Sequence, residues 1–158
     1  RPDVEGIYCF VKKNALMRKF HNRFTIKIDD DKEFTKDCLF CFCGNSRWYG
    51  GGFMAGPLAQ PDDGLLDFVI VEANMSRLKL VTLLNKYKRG EHLDWDITTF
   101  KRGKKLTIHS DTPAAVNVDG ECKFVTDTSF ELIEKGMNFV VPKNSKFLVE
   151  REKRLAGK

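Results

Sequence analysis

Two acidic turns hold the groups in this sequence best placed to do chemistry. The first is Asp62-Asp63-Gly64-Leu65-Leu66-Asp67, where a long loop enters an apolar run. Carboxylates beside free loop carbonyls supply the oxygen ligands that hard cations take. The spacing is not that of an EF-hand, which places acids at alternate positions ahead of its glycine. Taken alone, Asp-Asp-Gly is first of all a turn signal. The second is Asp119-Gly120-Glu121. Two carboxylates flanking a two-residue hairpin turn concentrate negative charge at its tip, and one of them could accept a proton from a hydroxyl nucleophile. By itself this too reads as a good type I′ turn with a charged neighbour. Gly50-Gly51-Gly52 lacks the lysine and following helix of a phosphate-binding loop and reads as a turn.

The cysteines invite a metal reading and do not sustain it. Cys38, Cys41 and Cys43 fall within six residues and include one Cys-x-x-Cys, but there is no second such pair. His21, His92 and His109 have no ligand-like spacing. On a strand, Cys41 and Cys43 share a face and Cys38 and Cys41 point oppositely. Buried free thiols packed as small hydrophobes are expected, which implies a reducing compartment, most simply the cytoplasm.

The elements that must position these groups follow from periodicity. Ile7 to Phe20 reads as a helix, with Ile7, Phe10, Val11 and Met17 on one side. Phe24, Ile26 and Ile28 alternate with polar residues as a half-buried strand, and Asp37 to Gly44 follows as a second strand after a polar turn. Asn45 to Asp67 is loop, rich in glycine and proline, and Leu66 to Glu72 is an apolar strand. Ser76 caps a helix in which Leu80, Leu83, Leu84 and Tyr87 follow i, i+3, i+4, i+7 spacing, ended by Gly90. Short strands are then expected over Trp95–Phe100, Lys105–His109, Ala115–Val118, Cys122–Val125, Ser129–Ile133 and Asn138–Val141, before a charged tail over 146–158. Eight or nine strands with one or two helices predict a mainly-β fold, a two-layer antiparallel β-sandwich.

Composition narrows the class. At 158 residues, with 42% hydrophobic side chains and 13 Phe, the chain suits one packed domain rather than a disordered or collagenous one. No apolar run approaches the roughly 20 residues of a membrane span. A net charge of +5 is modest, but Gly6 to Ile28 carries Lys12, Lys13, Arg18, Lys19, Arg23 and Lys27 with no acid. Such a stretch could meet phosphates or an anionic membrane, or be a solvated helix face. No nucleic-acid module motif is present. The chain opens on Arg1-Pro2-Asp3, with no initiator Met and no signal-peptide pattern, so a piece of a longer protein is expected.

Several motifs together carry a resemblance that none carries alone. Asn45-Ser46-Arg47-Trp48-Tyr49-Gly50-Gly51-Gly52-Phe53 is followed by Ala55-Gly56-Pro57-Leu58-Ala59 and by the Asp62 to Asp67 turn. Val118-Asp119-Gly120-Glu121 and Phe139-Val140-Val141-Pro142 come later. In this order they resemble the diacylglycerol-kinase-like family of bacterial lipid kinases, related to sphingosine kinases, over nearly the whole chain. The family's Gly-Gly-Asp-Gly-Thr nucleotide-binding signature is absent.

The resemblance implies a lipid-side C-terminal β-sandwich domain over 1–142 without its N-terminal nucleotide-binding domain, and a charged tail over 143–158. It implies Mg²⁺ held by the Asp63 side chain, the Leu65 carbonyl and a ligand at Gln60, with Asp62 and Asp67 supporting the loop. It gives the general-base role to Glu121 first, with Asp119 as partner or competitor. The implied reaction transfers the γ-phosphoryl group of ATP to a primary hydroxyl of diacylglycerol or a similar lipid, and the 158 residues alone are expected to be inactive. Expected partners are the lipid and, in peripheral contact, the membrane surface, with a homodimer left open, no nucleic acid, and a cytoplasmic location. The rival reading is a non-catalytic lipid- or membrane-binding β-sandwich.

Overall fold

A computed structural model describes residues 22–157, the side chains of 77–82 excepted. The helix expected over Ile7–Phe20, Cys9 and His21 lie outside the described residues. Six strands, β1 (Asn22–Ile28), β2 (Phe34–Gly44), β3 (Leu66–Glu72), β4 (Thr98–Gly103), β5 (Lys105–Val118) and β6 (Glu121–Glu131), are hydrogen-bonded in the order β4-β3-β2-β1-β5-β6, every pair antiparallel. Two helices, α1 (Arg77–Lys88) and α2 (Lys146–Ala156), complete the described fold. The architecture is mainly β and sandwich-like, the class expected from the periodicity.

Alternation decides which side of the sheet is the core. In β1 the apolar positions Phe24, Ile26 and Ile28 are buried, and Ile26 lies opposite Ile108 of β5. They join Leu66, Phe68, Ile70, Leu106 and Ile108 in one cluster. β3 is buried on both faces, which explains its apolar run over Phe68, Val69, Ile70 and Val71. Its other face, with Val69 and Val71, shares the side of Phe42 and Phe40, their partners on β2. That side is covered by α1 and the glycine-rich loop. Phe40 packs edge-on against Tyr87 at 5.2 Å, and Phe42 against Tyr49 at 6.2 Å.

A register shift between Cys38 and Phe40 changes the cysteine geometry. The extra residue of a bulge resets the alternation. Cys38, Cys41 and Cys43 therefore all face the core cluster, where strict alternation would turn Cys38 away from Cys41. All three are free thiols, and burial pushes that of Cys43 up to about 12, so it packs in its neutral form.

Among the described residues the strand count is six, not eight or nine. Lys105–His109 and Ala115–Val118 are two halves of β5, and Cys122–Val125 and Ser129–Ile133 fall largely within β6. Both run through an irregularity between His109 and Ala114 that bends the ribbon without ending it. Trp95–Ile97 belongs to a turn ahead of β4. Asn138–Val141 forms no strand: it pairs with none of the described strands, and Phe139 and Val140 stay exposed. α1 begins after Ser76 and ends at Gly90 (φ 78°), as its cap and glycine predict, with Leu83 buried and Tyr87 in the aromatic layer. The charged tail is helical: the Ser145 hydroxyl accepts from the Leu148 N–H at 3.3 Å as N-cap, and Lys153 and Arg154 fill the last turn. Among the described residues no helix is long and apolar enough to cross a membrane.

Candidate functional site

The acidic loop is built as a turn and then neutralised from a distance. Asp63 and Gly64 reverse the chain, with Gly64 in the left-handed region at φ 76°. The Asp63 N–H donates to the Gln60 carbonyl at 3.3 Å, and Asp63 Oδ1 accepts from the Leu65 N–H at 3.0 Å. The carboxylate thus faces its own backbone in an Asx turn. Arg102, reaching in from β4, lies with Nη1 3.4 Å from Asp63 Oδ2 and donates from Nε to Asp67 Oδ1 at 2.8 Å. Its Nη2 donates to the Leu58 carbonyl at 2.5 Å. Asp67 is 1% exposed, and burial raises its carboxyl above the ordinary value even with Arg102 alongside. Its Oδ2 is buried without a hydrogen-bond partner. Asp62 behaves oppositely. Partial burial pushes it up, but hydrogen bonds from Arg154 and Arg151 outweigh this and hold it below the usual carboxylate range. Gln60 Oε1 accepts from Arg154 Nη1.

Asp119 (φ 50°) and Gly120 (φ 97°) form the tip of the β5–β6 hairpin, with Val118 paired to Glu121 across it. Both carboxylates are exposed. Two residues that spacing did not reveal brace this tip. Asn117 Oδ1 accepts from the Gly120 N–H at 3.2 Å and from the Tyr49 hydroxyl at 2.5 Å, while its amide donates to Cys122 Sγ at 3.0 Å. Tyr49 stands beside Gly50-Gly51-Gly52, so the glycine-rich run and the Asp119-Gly120-Glu121 hairpin are joined directly. Burial, and then the neighbouring Cys122 and Asp119, raise the Tyr49 phenol and keep it a donor. Only the turn signal of Asp119-Gly120 was available to sequence reasoning; nothing local marks Asn117 as its brace.

Between these features lies a cavity of about 1340 Å³. Its walls include Phe42, Tyr49, Ile108, Val116 and Phe130, and both Pro61 of the acidic loop and Asp119 of the hairpin reach it. Of the residues expected to form the site, Asp119 lines this largely apolar hollow, whereas Gln60, Asp63, Leu65 and Glu121 do not. Among the described residues no three His, Cys, Asp or Glu side chains converge as a metal cluster. A cation at the acidic loop would be held by one carboxylate and main-chain carbonyls.

Residues 6–141 match the family model described as the YegS C-terminal NAD kinase beta sandwich-like domain. This chain belongs to that family. The chain is 34% identical over 99 residues to a diacylglycerol kinase of Mycobacterium tuberculosis, covering 62% of this chain and 31% of the relative. It is 30% identical over 143 residues to a diacylglycerol kinase of Staphylococcus epidermidis, covering 89% of this chain and 45% of that one. Two solved structures from Bacillus anthracis share the fold. One superposes with a TM-score of 0.63 at 20% identity, over 82% of this chain and 44% of the other. The second, a diacylglycerol kinase, gives 0.54 at 16% identity, over 75% and 42%. The chain spans less than half the length of each of these relatives.

Proposed function

We propose that this domain is the lipid-side part of an ATP-dependent lipid kinase that phosphorylates a primary hydroxyl of diacylglycerol or a similar lipid. The observation that carries the reading is an exposed carboxylate, Asp119, at the rim of a large apolar cavity, with the exposed Glu121 two residues on in the same hairpin, in a chain of this family. The apolar walls suit an acyl-bearing substrate, and Asp119 among the lining residues offers a carboxylate to its hydroxyl headgroup. Glu121, or Asp119 in its place, takes the hydroxyl proton as the oxygen attacks the γ-phosphorus and the bond to ADP breaks. Asn117 and Tyr49 hold the tip rigid for that transfer. ATP is bound mainly by the part of the protein outside these 158 residues, so they are inactive alone. Membrane contact is peripheral.

The acidic loop suits Mg²⁺. The Asp63 carboxylate, the Leu65 carbonyl and an oxygen of Gln60 would supply an all-oxygen donor set, and Asp67 Oδ2, on the strand that follows, is buried without a hydrogen-bond donor. Asp63, Leu65 and Gln60 would hold the ion, which when bound would fix the shape of the loop. Asp62, taken up by two arginines, supports the loop instead.

The test is ATP-dependent phosphorylation by the whole protein against a panel of lipid alcohols, comparing wild type with Glu121→Gln and Asp119→Asn. Each amide keeps shape and cannot accept the proton, so the variant at the true base loses at least about a hundredfold in turnover while staying folded. Wild-type rates in both variants would remove the base assignment. Lipid binding without phosphorylation by the wild-type protein would favour the non-catalytic reading.

A further inference from the structure

The charged tail has a use that the proposed reaction leaves open. Phe147, Glu150, Arg151 and Arg154 recur along α2 at i, i+3, i+4 and i+7, which sets them on one face. That face is committed to the motif-bearing loop. Phe147 lines the cavity. Glu150 Oε2 lies 3.5 Å from Arg47 Nη2, and Arg47 Nε in turn donates to the Ala59 carbonyl at 3.4 Å. Arg151 Nε donates to Asp62 Oδ2 at 2.7 Å and Arg154 Nη2 to Asp62 Oδ1 at 2.8 Å, while Arg154 Nη1 reaches Gln60 Oε1.

A lone ion pair between exposed flexible side chains contributes little. Here both oxygens of one carboxylate, its side chain 26% exposed, are taken by two guanidiniums, and one of these also ties the side chain two residues upstream. Such a network fixes the geometry of the turn between its contacts, as the planar fork of arginine allows. We propose that α2 is a latch on the acidic loop, with Arg151 and Arg154 as positioning residues that hold the Gln60–Asp63 turn in the shape in which Asp63 faces its own backbone. The latch deepens the cation reading given above, and its test separates the two.

Amide hydrogen exchange by mass spectrometry on the full chain reads the latch directly. In an Arg151→Ala/Arg154→Ala double variant, exchange over residues 60–66 is expected to rise about tenfold while β1, β3 and β5 keep their protection. Arg154→Lys, which keeps the charge and loses the fork, is expected to fall between wild type and Arg154→Ala. Unchanged exchange at the loop overturns the latch. So does an equal rise throughout the sheet, which would make α2 a general stabiliser, and so does a lysine variant no better than alanine. Mn²⁺ titration followed by electron paramagnetic resonance supplies the second readout. Where the wild-type chain binds Mn²⁺, the double variant is expected to bind about tenfold more weakly even though it loses two nearby positive charges, and equal or tighter affinity overturns the positioning role. A wild-type chain that binds no Mn²⁺ sinks the cation reading, and the exchange data alone then decide the latch.

Discussion

His92 is fully buried against Tyr87 at 4.6 Å and Trp95 at 5.9 Å, with Nε2 3.1 Å from the Ala55 carbonyl. A carbonyl only accepts, so Nε2 carries the proton, and Nδ1 is buried without a partner. Burial lowers the ring below its ordinary 6.5, although the bond to Ala55 opposes this. The fold therefore holds the neutral imidazole. Above pH 6.5 both folded and unfolded His92 are neutral and stability does not depend on it. As pH falls through 6.5 the unfolded chain takes the proton first, and stability declines until the lower folded-state value is also passed. Urea denaturation between about pH 7.5 and about pH 5 should show this decline in wild type and a flatter profile in His92→Gln, which keeps a donor and cannot titrate. Identical slopes would show that His92 does not titrate with unfolding.

The β5–β6 hairpin is the element on which the proposed chemistry rests, and its turn is set by backbone sterics. Both central residues have positive φ, which Asp tolerates and Gly takes freely. No atom lies within 4 Å of a Cβ built at Gly120, so a substitution there is opposed by conformation alone. Gly120→Ala should cost about 1–2 kcal/mol by chemical denaturation, and Gly120→Asn clearly less, because Asn enters the left-handed region more readily. Equal losses would mean that something other than φ is responsible. The halves of the ribbon were separable in sequence only as short strands, since a bulge interrupts alternation as a turn does. The bulge after Cys38 misleads in the same way. Alternation predicts its facing only while one residue on a strand opposes one on the next.

At the scale of the whole molecule, β3 is the strand buried on both faces, flanked by β2 and β4. Phe68 is fully buried in the main cluster, whereas Phe124 on β6 is 73% exposed. Phe68→Ala should lose about 3–5 kcal/mol in urea denaturation, through lost burial and the cavity left behind. Phe124→Ala should stay within about 0.5 kcal/mol. A comparable loss at Phe124 would show that it is covered in solution. What is local was legible in the residues: the alternation of β1, the start and end of α1 and the Asp119-Gly120 turn follow from sterics and periodicity acting over a few residues. The ordered motifs carried the resemblance to the lipid kinases. Which charges meet was settled by the fold. Arg102 reaches Asp67 from 35 residues away, Tyr49 reaches Asn117 across 68, and Arg154 reaches Asp62 and Gln60 across 92 and 94. A guanidinium in sequence fits any carboxylate; strand order, register and the docking of α2 select the one it pairs with.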